Sequence, residues 1–492
     1  MNQFEEYIHQ TQEYGVVKEI QHPIVYCSGL PNARIQEQIV FEGGQLGRVL
    51  SIREDLVEIV VFTRSPVSPG ARVARTGNYM TIPTGMELLG TVVNPVSELM
   101  FDKVGEPYRI PLEKRNFESP TPKLHTRKRI ERPLETGVAI IDSMLPLGKG
   151  QRELVVGDRK TGKTSAIVNV VIRQAQLGSV IVYALIGKNK GEIKRLKKEF
   201  EQVGVMQNAV IVATSSDDSP SLIDLCPYSA MTIAEFFKDA GKDVLVVFDD
   251  LSTHAKFYRE LALLGKTFPG RDSYPGDIFY KHARLLERAG NFFHSQAGEV
   301  AITAIPMAET TDGRLNDYIV SNIISITDGH LLFNNEAFNK GRRPAIDIFL
   351  SVTRVGKQTQ TDVGRKINRK LFQMMSKYVD AENFQHFGAE LSPEVKALLK
   401  RGDLVYKFFE QPYTLTIPVP IQAVMIEMIM KGLLDEFTVD NILDARMKVL
   451  SLYRSDKEVF TKINNIFAVG KYDEFSKIVE SEASYIRGLC KT

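Results

Sequence analysis

The string GDRKTGKT, residues 157–164, constrains this chain more than any other stretch of its sequence. It fits the pattern GxxxxGK[ST]. Gly157 and Gly162 let backbone N–H groups approach and encircle phosphate oxygens; Lys163 reaches terminal phosphates, and the Thr164 hydroxyl suits a magnesium ion. The flanks agree with the string. Leu154, Val155 and Val156 predict a buried strand. Residues 165–177 predict a helix carrying Ile167, Val170, Val171 and Gln174 on related faces, closed by Gly178. The amino terminus of that helix adds partial positive charge to an anion site. Asp158, Arg159, Lys160, Thr161 and Ser165 complete a candidate nucleotide-binding set over 157–165.

A strand–loop–helix of this kind belongs in a mainly parallel sheet covered by helices. From 85 to about 356, apolar runs alternate with helical patterns, the clearest strands being 153–156, 180–186, 209–213, 244–248 and 299–304. The 244–248 strand ends in Asp249 and Asp250. A carboxylate there is expected beside the phosphate loop, holding the magnesium shell in part through water. Asp249 is the better candidate, with Asp250 capping the next segment. Upstream, residues 1–14 predict a short helix with Phe4, Tyr7, Ile8 and Thr11 at helical spacing. Between 15 and 83 come short β-rich runs at 24–26, 46–52, 56–62 and 72–76, broken by Gly43, Gly44, Pro66, Pro69, Gly70 and Gly77. They predict a small barrel. After Asp362 helical spacing dominates, with a proline-bearing loop over 412–420. The expected fold is therefore an α/β phosphate-loop core with an amino-terminal β-barrel and a carboxy-terminal helical domain, divided as 1–84, 85–361 and 362–492.

Composition excludes several function classes. With 492 residues the chain is long enough for two to four domains. Its 62 basic and 60 acidic residues leave a formal charge of +2, without the basic excess of a dedicated nucleic-acid binder. Three dispersed cysteines, Cys27, Cys226 and Cys490, make neither a disulfide framework nor a zinc pattern, which suggests a reducing compartment. No apolar run reaches the roughly 18 residues of a membrane span, so membrane association is expected to be indirect. Tryptophan is absent, and nothing in the sequence accounts for it.

Longer blocks are recognisable. PLETG at 133–137, the run from Ile141 through Thr164, DDLS at 249–252, PGRDSYPGD at 269–277, HARLLERA at 282–289, ISITDG at 324–329, RPAID at 343–347 and SVTRVG at 351–356 occur in this order. Together they resemble the alpha subunits of the F-type rotary ATPase family, more than its catalytic beta subunits, V-type relatives or secretion ATPases. The resemblance implies a RecA-like nucleotide-binding core and a hexamer of alternating alpha and beta subunits around a central stalk (gamma) subunit. It further implies bound ATP or ADP with Mg2+, turned over only by the beta subunits. Arg354 matches the family arginine that reaches across the interface as a finger into the neighbouring catalytic site. Gln411 falls in a loop that contacts adenine in the family, and Tyr413 is the other residue there that looks similar. The amino-terminal helix, which anchors a peripheral stalk in the family, is shorter here. With a membrane sector attached, the location implied is cytoplasmic, on the inner face of the cell membrane.

Three positions depart from the family pattern. Lys160 stands where Gln is usual, and Thr353 where Ser is usual. The 97–109 segment lacks the usual glycine-rich run. A fourth departure bears on chemistry. Catalytic members carry a Glu at the end of the strand after the phosphate-loop helix, where it polarises the attacking water, and alpha subunits carry Gln. Here that position is Lys188, which cannot act as a base while charged. Two readings stand: an ammonium holding the γ-phosphate, or a solvated lysine beside Lys190 and Lys194. Two other assemblies fit the motifs less well: a divergent rotary ATPase driving other machinery without proton translocation, and an autonomous homohexamer of secretion or RNA-translocase type.

Overall fold

Alternating apolar residues in the first 80 positions close into a barrel. The computed structural model describes residues 3–63, 67–101, 112–386, 392–455 and 457–491. Pro66 and most of the 97–109 segment thus lie outside the described residues. Six antiparallel strands follow one another around the barrel in the order Gly15–Gln21, Ile24–Ser28, Val57–Val61, Leu46–Ile52, Glu37–Phe41 and Arg72–Tyr79, the last pairing with the first. Val25, Cys27, Ile39, Phe41, Val49, Ile59, Val61 and Val73 fill its interior. The Gln3–Thr11 helix covers one outer patch, where Phe4 is buried with Val40 and Ala74, and Tyr7 and Ile8 pack alongside.

Two of these strands are not among the runs that stand out in the sequence. Gly15–Gln21 breaks its alternation at an irregularity between Val17 and Glu19. Glu37–Phe41 opens with a glutamate that is 1% exposed. Its carboxylate accepts hydrogen bonds from Arg75 Nε at 3.1 Å and from the backbone N–H groups of Gly77 and Arg34, both at 2.8 Å. A charge answered by long-range donors hides a strand signal that an apolar residue would have given.

The protein forms two compact units. The first comprises Met1–Lys128, Gly178–Glu309 and Leu315–Thr327; the second comprises Arg129–Leu177, Thr310–Arg314 and Asp328–Thr492. Beyond the barrel, the first unit holds five parallel strands in the order Thr91–Val93, Ala209–Ser215, Val180–Lys188, Val244–Asp249 and Gly298–Glu309. Gly290–His294 continues this sheet antiparallel to the last of them. The middle strands are buried almost end to end, which is why they read as Val/Ile/Leu runs rather than alternations.

In the second unit Glu153–Gly157 lies parallel to Gly329–Phe333, which pairs antiparallel with the short strand Val352–Thr353. The Lys163–Gln176 helix follows the first of these. From Asp362 onward the regular structure of the described residues is helical, in the segments Asp362–His386, Pro393–Phe409, Val419–Met430, Asn441–Ser455, Lys457–Val469 and Tyr472–Lys491. The proline-bearing loop ends earlier than its composition suggests. Pro418 caps the Val419–Met430 helix and Pro420 sits in its first turn, where a missing N–H is harmless. Among the described residues no helix is long and apolar enough to cross a membrane.

Candidate phosphate-binding site

The phosphate loop starts where a strand can carry only glycine. A Cβ on Gly157 would lie 2.4 Å from the Phe333 carbonyl oxygen. Gly162 adopts a left-handed conformation, φ 86°, and turns the backbone directly into the Lys163–Gln176 helix. Lys160 is also left-handed, φ 64°, and is exposed with Arg159 on the outside of the loop. Thr161 is buried and its hydroxyl donates to the Asp158 carbonyl at 2.8 Å. Lys163 is 7% exposed; its Nζ donates to the carbonyls of Gly157 and Asp158 at 2.7 and 2.6 Å. The ammonium is thus held over the loop interior by the loop itself. Thr164 and Ser165 are exposed at the first helical turn.

The Asp158 side chain faces away from this task. Its carboxylate accepts from the Thr310 hydroxyl at 2.5 Å, from the Gly313 N–H at 2.9 Å and from the Asn335 amide, while Thr310 N–H donates to Gly157 O at 3.1 Å. It braces the loop against 310–313. None of these partners carries a local sequence signal, because each is more than 150 residues distant.

Gln411 is buried and fully engaged. Its Oε1 accepts from Ala139 N–H at 2.5 Å, and its Nε2 donates to the carbonyls of Gly137 and Leu415 at 2.9 and 3.0 Å. Thr414 N–H donates to Asn169 Oδ1 at 2.8 Å, tying the 410–418 loop to the phosphate-loop helix. Tyr413 is 41% exposed. The same region is stiffened by Asp142, which accepts from the Thr136 N–H and hydroxyl, the Gly137 N–H and the Gln422 amide. Burial raises the Asp142 pKa to about 6 against the pull of those bonds.

Arg354 follows the edge strand Val352–Thr353, with its backbone N–H donating to Asp328 O at 3.1 Å and its side chain exposed. Its base is firmly seated. Asp328 clasps Arg152 at 2.7 Å, Thr353 donates to Pro146 O at 2.9 Å, and a Cβ on Gly356 would lie 1.7 Å from that same carbonyl oxygen. Behind them Glu153 is buried, and burial raises its pKa well above the ordinary carboxylate value. Gly356→Ala should therefore force the backbone apart and destabilise the protein by about 3 kcal/mol. A drop of several degrees in the thermal unfolding midpoint is the expected reading; an unchanged midpoint would show that the turn relaxes freely.

In the first unit, Lys188 is neither solvated nor grouped with Lys190 and Lys194. Its Nζ lies 2.7 Å from Asp249 Oδ1 and 3.8 Å from Asp250 Oδ2. Burial works against this ammonium, but the two carboxylates outweigh it and hold its pKa above the ordinary lysine value. Asp249 is 4% exposed and also accepts from the Tyr183 hydroxyl at 3.2 Å. Asp250 caps the Leu251–Leu264 helix, accepting from Thr253 N–H at 2.6 Å and from its hydroxyl at 3.1 Å. Tyr183, five positions before Lys188 on the same strand, carries no sequence signal that would place it in this group.

A buried strand, a glycine-gated turn and a helix opening on Lys163 and Thr164 define the phosphate-loop class of nucleotide-binding proteins. Comparison narrows the class. The model for the nucleotide-binding domain of the ATP synthase alpha/beta family matches residues 137–353, and the model for the carboxy-terminal domain of that family matches 360–480. "ATP synthase subunit alpha" of Caldanaerobacter subterraneus subsp. tengcongensis is 38% identical over 455 residues, 92% of this chain and 88% of that protein. "ATP synthase subunit alpha 2" of Syntrophus aciditrophicus is 37% identical over 443 residues, covering 89% and 84%. "ATP synthase subunit alpha" of Neorickettsia sennetsu is 36% identical over 453 residues, covering 90% and 88%. The chain belongs to the ATP synthase alpha/beta family.

Proposed function

We propose that this protein is a nucleotide-binding alpha subunit of an F-type rotary ATPase, alternating with catalytic beta subunits around a central stalk. It binds ATP or ADP at 157–165, with the Thr164 hydroxyl on Mg2+ and Asp249 assigned by the family pattern to the metal's water shell. When bound, the metal supplies charge neutralisation for the phosphates. The subunit does not hydrolyse that nucleotide itself. The single observation that carries this is the Lys188–Asp249 pair at 2.7 Å. At the strand end where hydrolysis needs a carboxylate to orient water, the protein presents a cation already committed to an aspartate. Its contribution to chemistry is the Arg354 guanidinium, offered in trans to charge developing on a neighbouring phosphoryl group. In an assembly with a membrane sector, the subunit sits at the inner face of the cell membrane without entering it.

The purified protein should bind ATP in calorimetric titration and show negligible steady-state release of phosphate. Sustained turnover by the isolated subunit would sink this reading in favour of an autonomous homohexameric motor.

A further inference from the structure

Arg354 leaves the end of a short edge strand, and the groups that fix that strand are polar and buried. Glu153, Gly329 and Thr353 sit side by side on three neighbouring strands of the second unit, Glu153 in register with Gly329 and Gly329 with Thr353. The Glu153 carboxyl uses the space that Gly329 leaves open, since a Cβ there would stand 2.6 and 2.8 Å from its two oxygens. Gln151, wholly buried, joins the two ends of this row. Its Nε2 donates to Glu153 Oε2 at 2.7 Å and to Thr353 Oγ1 at 3.3 Å, while its Oε1 accepts from the Gly148 N–H at 2.9 Å. The Thr353 hydroxyl carries the chain onward by donating to Pro146 O at 2.9 Å. Arg354 is the next residue along.

An apolar residue at 153 would avoid the cost of burying an acid. Glu153 is 1% exposed, and burial drives its carboxyl toward the neutral form, helped by the charge of Asp328. Its Oε1 has no hydrogen-bond partner. What the side chain supplies is one acceptor, given to Gln151. The Arg354 charge acts in the opposite sense and favours the ionised form, so the carboxyl and the guanidinium are within electrostatic reach of one another. We propose that Gln151, oriented by Glu153, is a positioning residue for the Arg354 finger: it holds the Thr353 hydroxyl, and with it the direction in which the arginine leaves its strand. The inference rests on the arginine-finger reading above and deepens it. Gln151 and Glu153 act through Thr353, with no chemical step of their own.

The test is steady-state ATP hydrolysis by complexes reconstituted with catalytic beta subunits, each variant made with and without Arg354→Ala. Gln151→Leu should lower kcat by about tenfold or more and leave KM for ATP within about twofold, because a small displacement of a catalytic group is felt mainly in the rate. In the Arg354→Ala background the same substitution should cost nothing further, since the group it positions is already gone. Glu153→Leu should behave as Gln151→Leu does. Glu153→Gln keeps a neutral acceptor for Gln151 and should recover most of the native rate. A Gln151→Leu complex as fast as the native one overturns the proposal. An equal loss with and without Arg354 also overturns it, by making Gln151 a general structural residue. Glu153→Gln no faster than Glu153→Leu overturns it as well, because the acceptor would then not be what orients Gln151. Should Gln151→Leu fail to fold, the two Glu153 variants in both backgrounds decide. If Arg354→Ala alone leaves turnover unchanged, the finger reading falls and the positioning role falls with it.

Discussion

In a complex reconstituted with catalytic beta subunits, Arg354→Ala should lower steady-state ATP hydrolysis by about 10³-fold. The variant subunit should still bind ATP with affinity close to that of the native one. The expectation follows from geometry as much as from family pattern. The Arg354 backbone is pinned to Asp328, and the neighbouring Thr353 and Gly356 are packed against Pro146. Its guanidinium, by contrast, is exposed. Such an arrangement fixes the point from which the side chain departs while leaving a planar cation in solvent, as a finger acting in trans would require. Arg354→Lys should recover only part of the rate, because an ammonium lacks the fork that meets two phosphoryl oxygens. Unchanged turnover in the alanine complex would reassign Arg354 to the surface.

Lys163→Ala should weaken ATP binding to this subunit by about 100-fold or more, as expected for deleting a charge-assisted phosphate contact from a partly buried loop. Lys163 Nζ bridges the carbonyls of Gly157 and Asp158 at 2.7 and 2.6 Å. It therefore closes the loop in the absence of phosphate and is already in position when phosphate arrives. Its loss removes both effects. Thermal unfolding of the same variant separates them, since a general collapse of the second unit would lower the midpoint, whereas a binding defect alone would leave it in place. An affinity equal to the native one would refute phosphate binding at 157–165.

Much of this is legible before any coordinates, for a common physical reason. The phosphate loop announces itself because all its functional groups lie within eight residues between a strand and a helix. The parallel strands announce themselves because burial on both faces leaves only apolar choices. What stays illegible depends on partners far away in sequence. Lys188 reads either as a phosphate partner or as one member of a basic cluster, and only the fold brings Asp249, 61 residues on, to 2.7 Å from it. Glu37 conceals a barrel strand because the arginine that answers it is at position 75. Asp158 reads as a ligand residue, yet its carboxylate serves Thr310, Gly313 and Asn335. Short-range signals describe what an element is; the polar groups that select between roles are settled by tertiary neighbours.

The tethering of Gln411 has a consequence for the 410–418 loop that carries it. An amide whose oxygen accepts from the Ala139 N–H and whose two hydrogens go to the carbonyls of Gly137 and Leu415 works as a clamp, with both of its donors spent on the protein's own backbone.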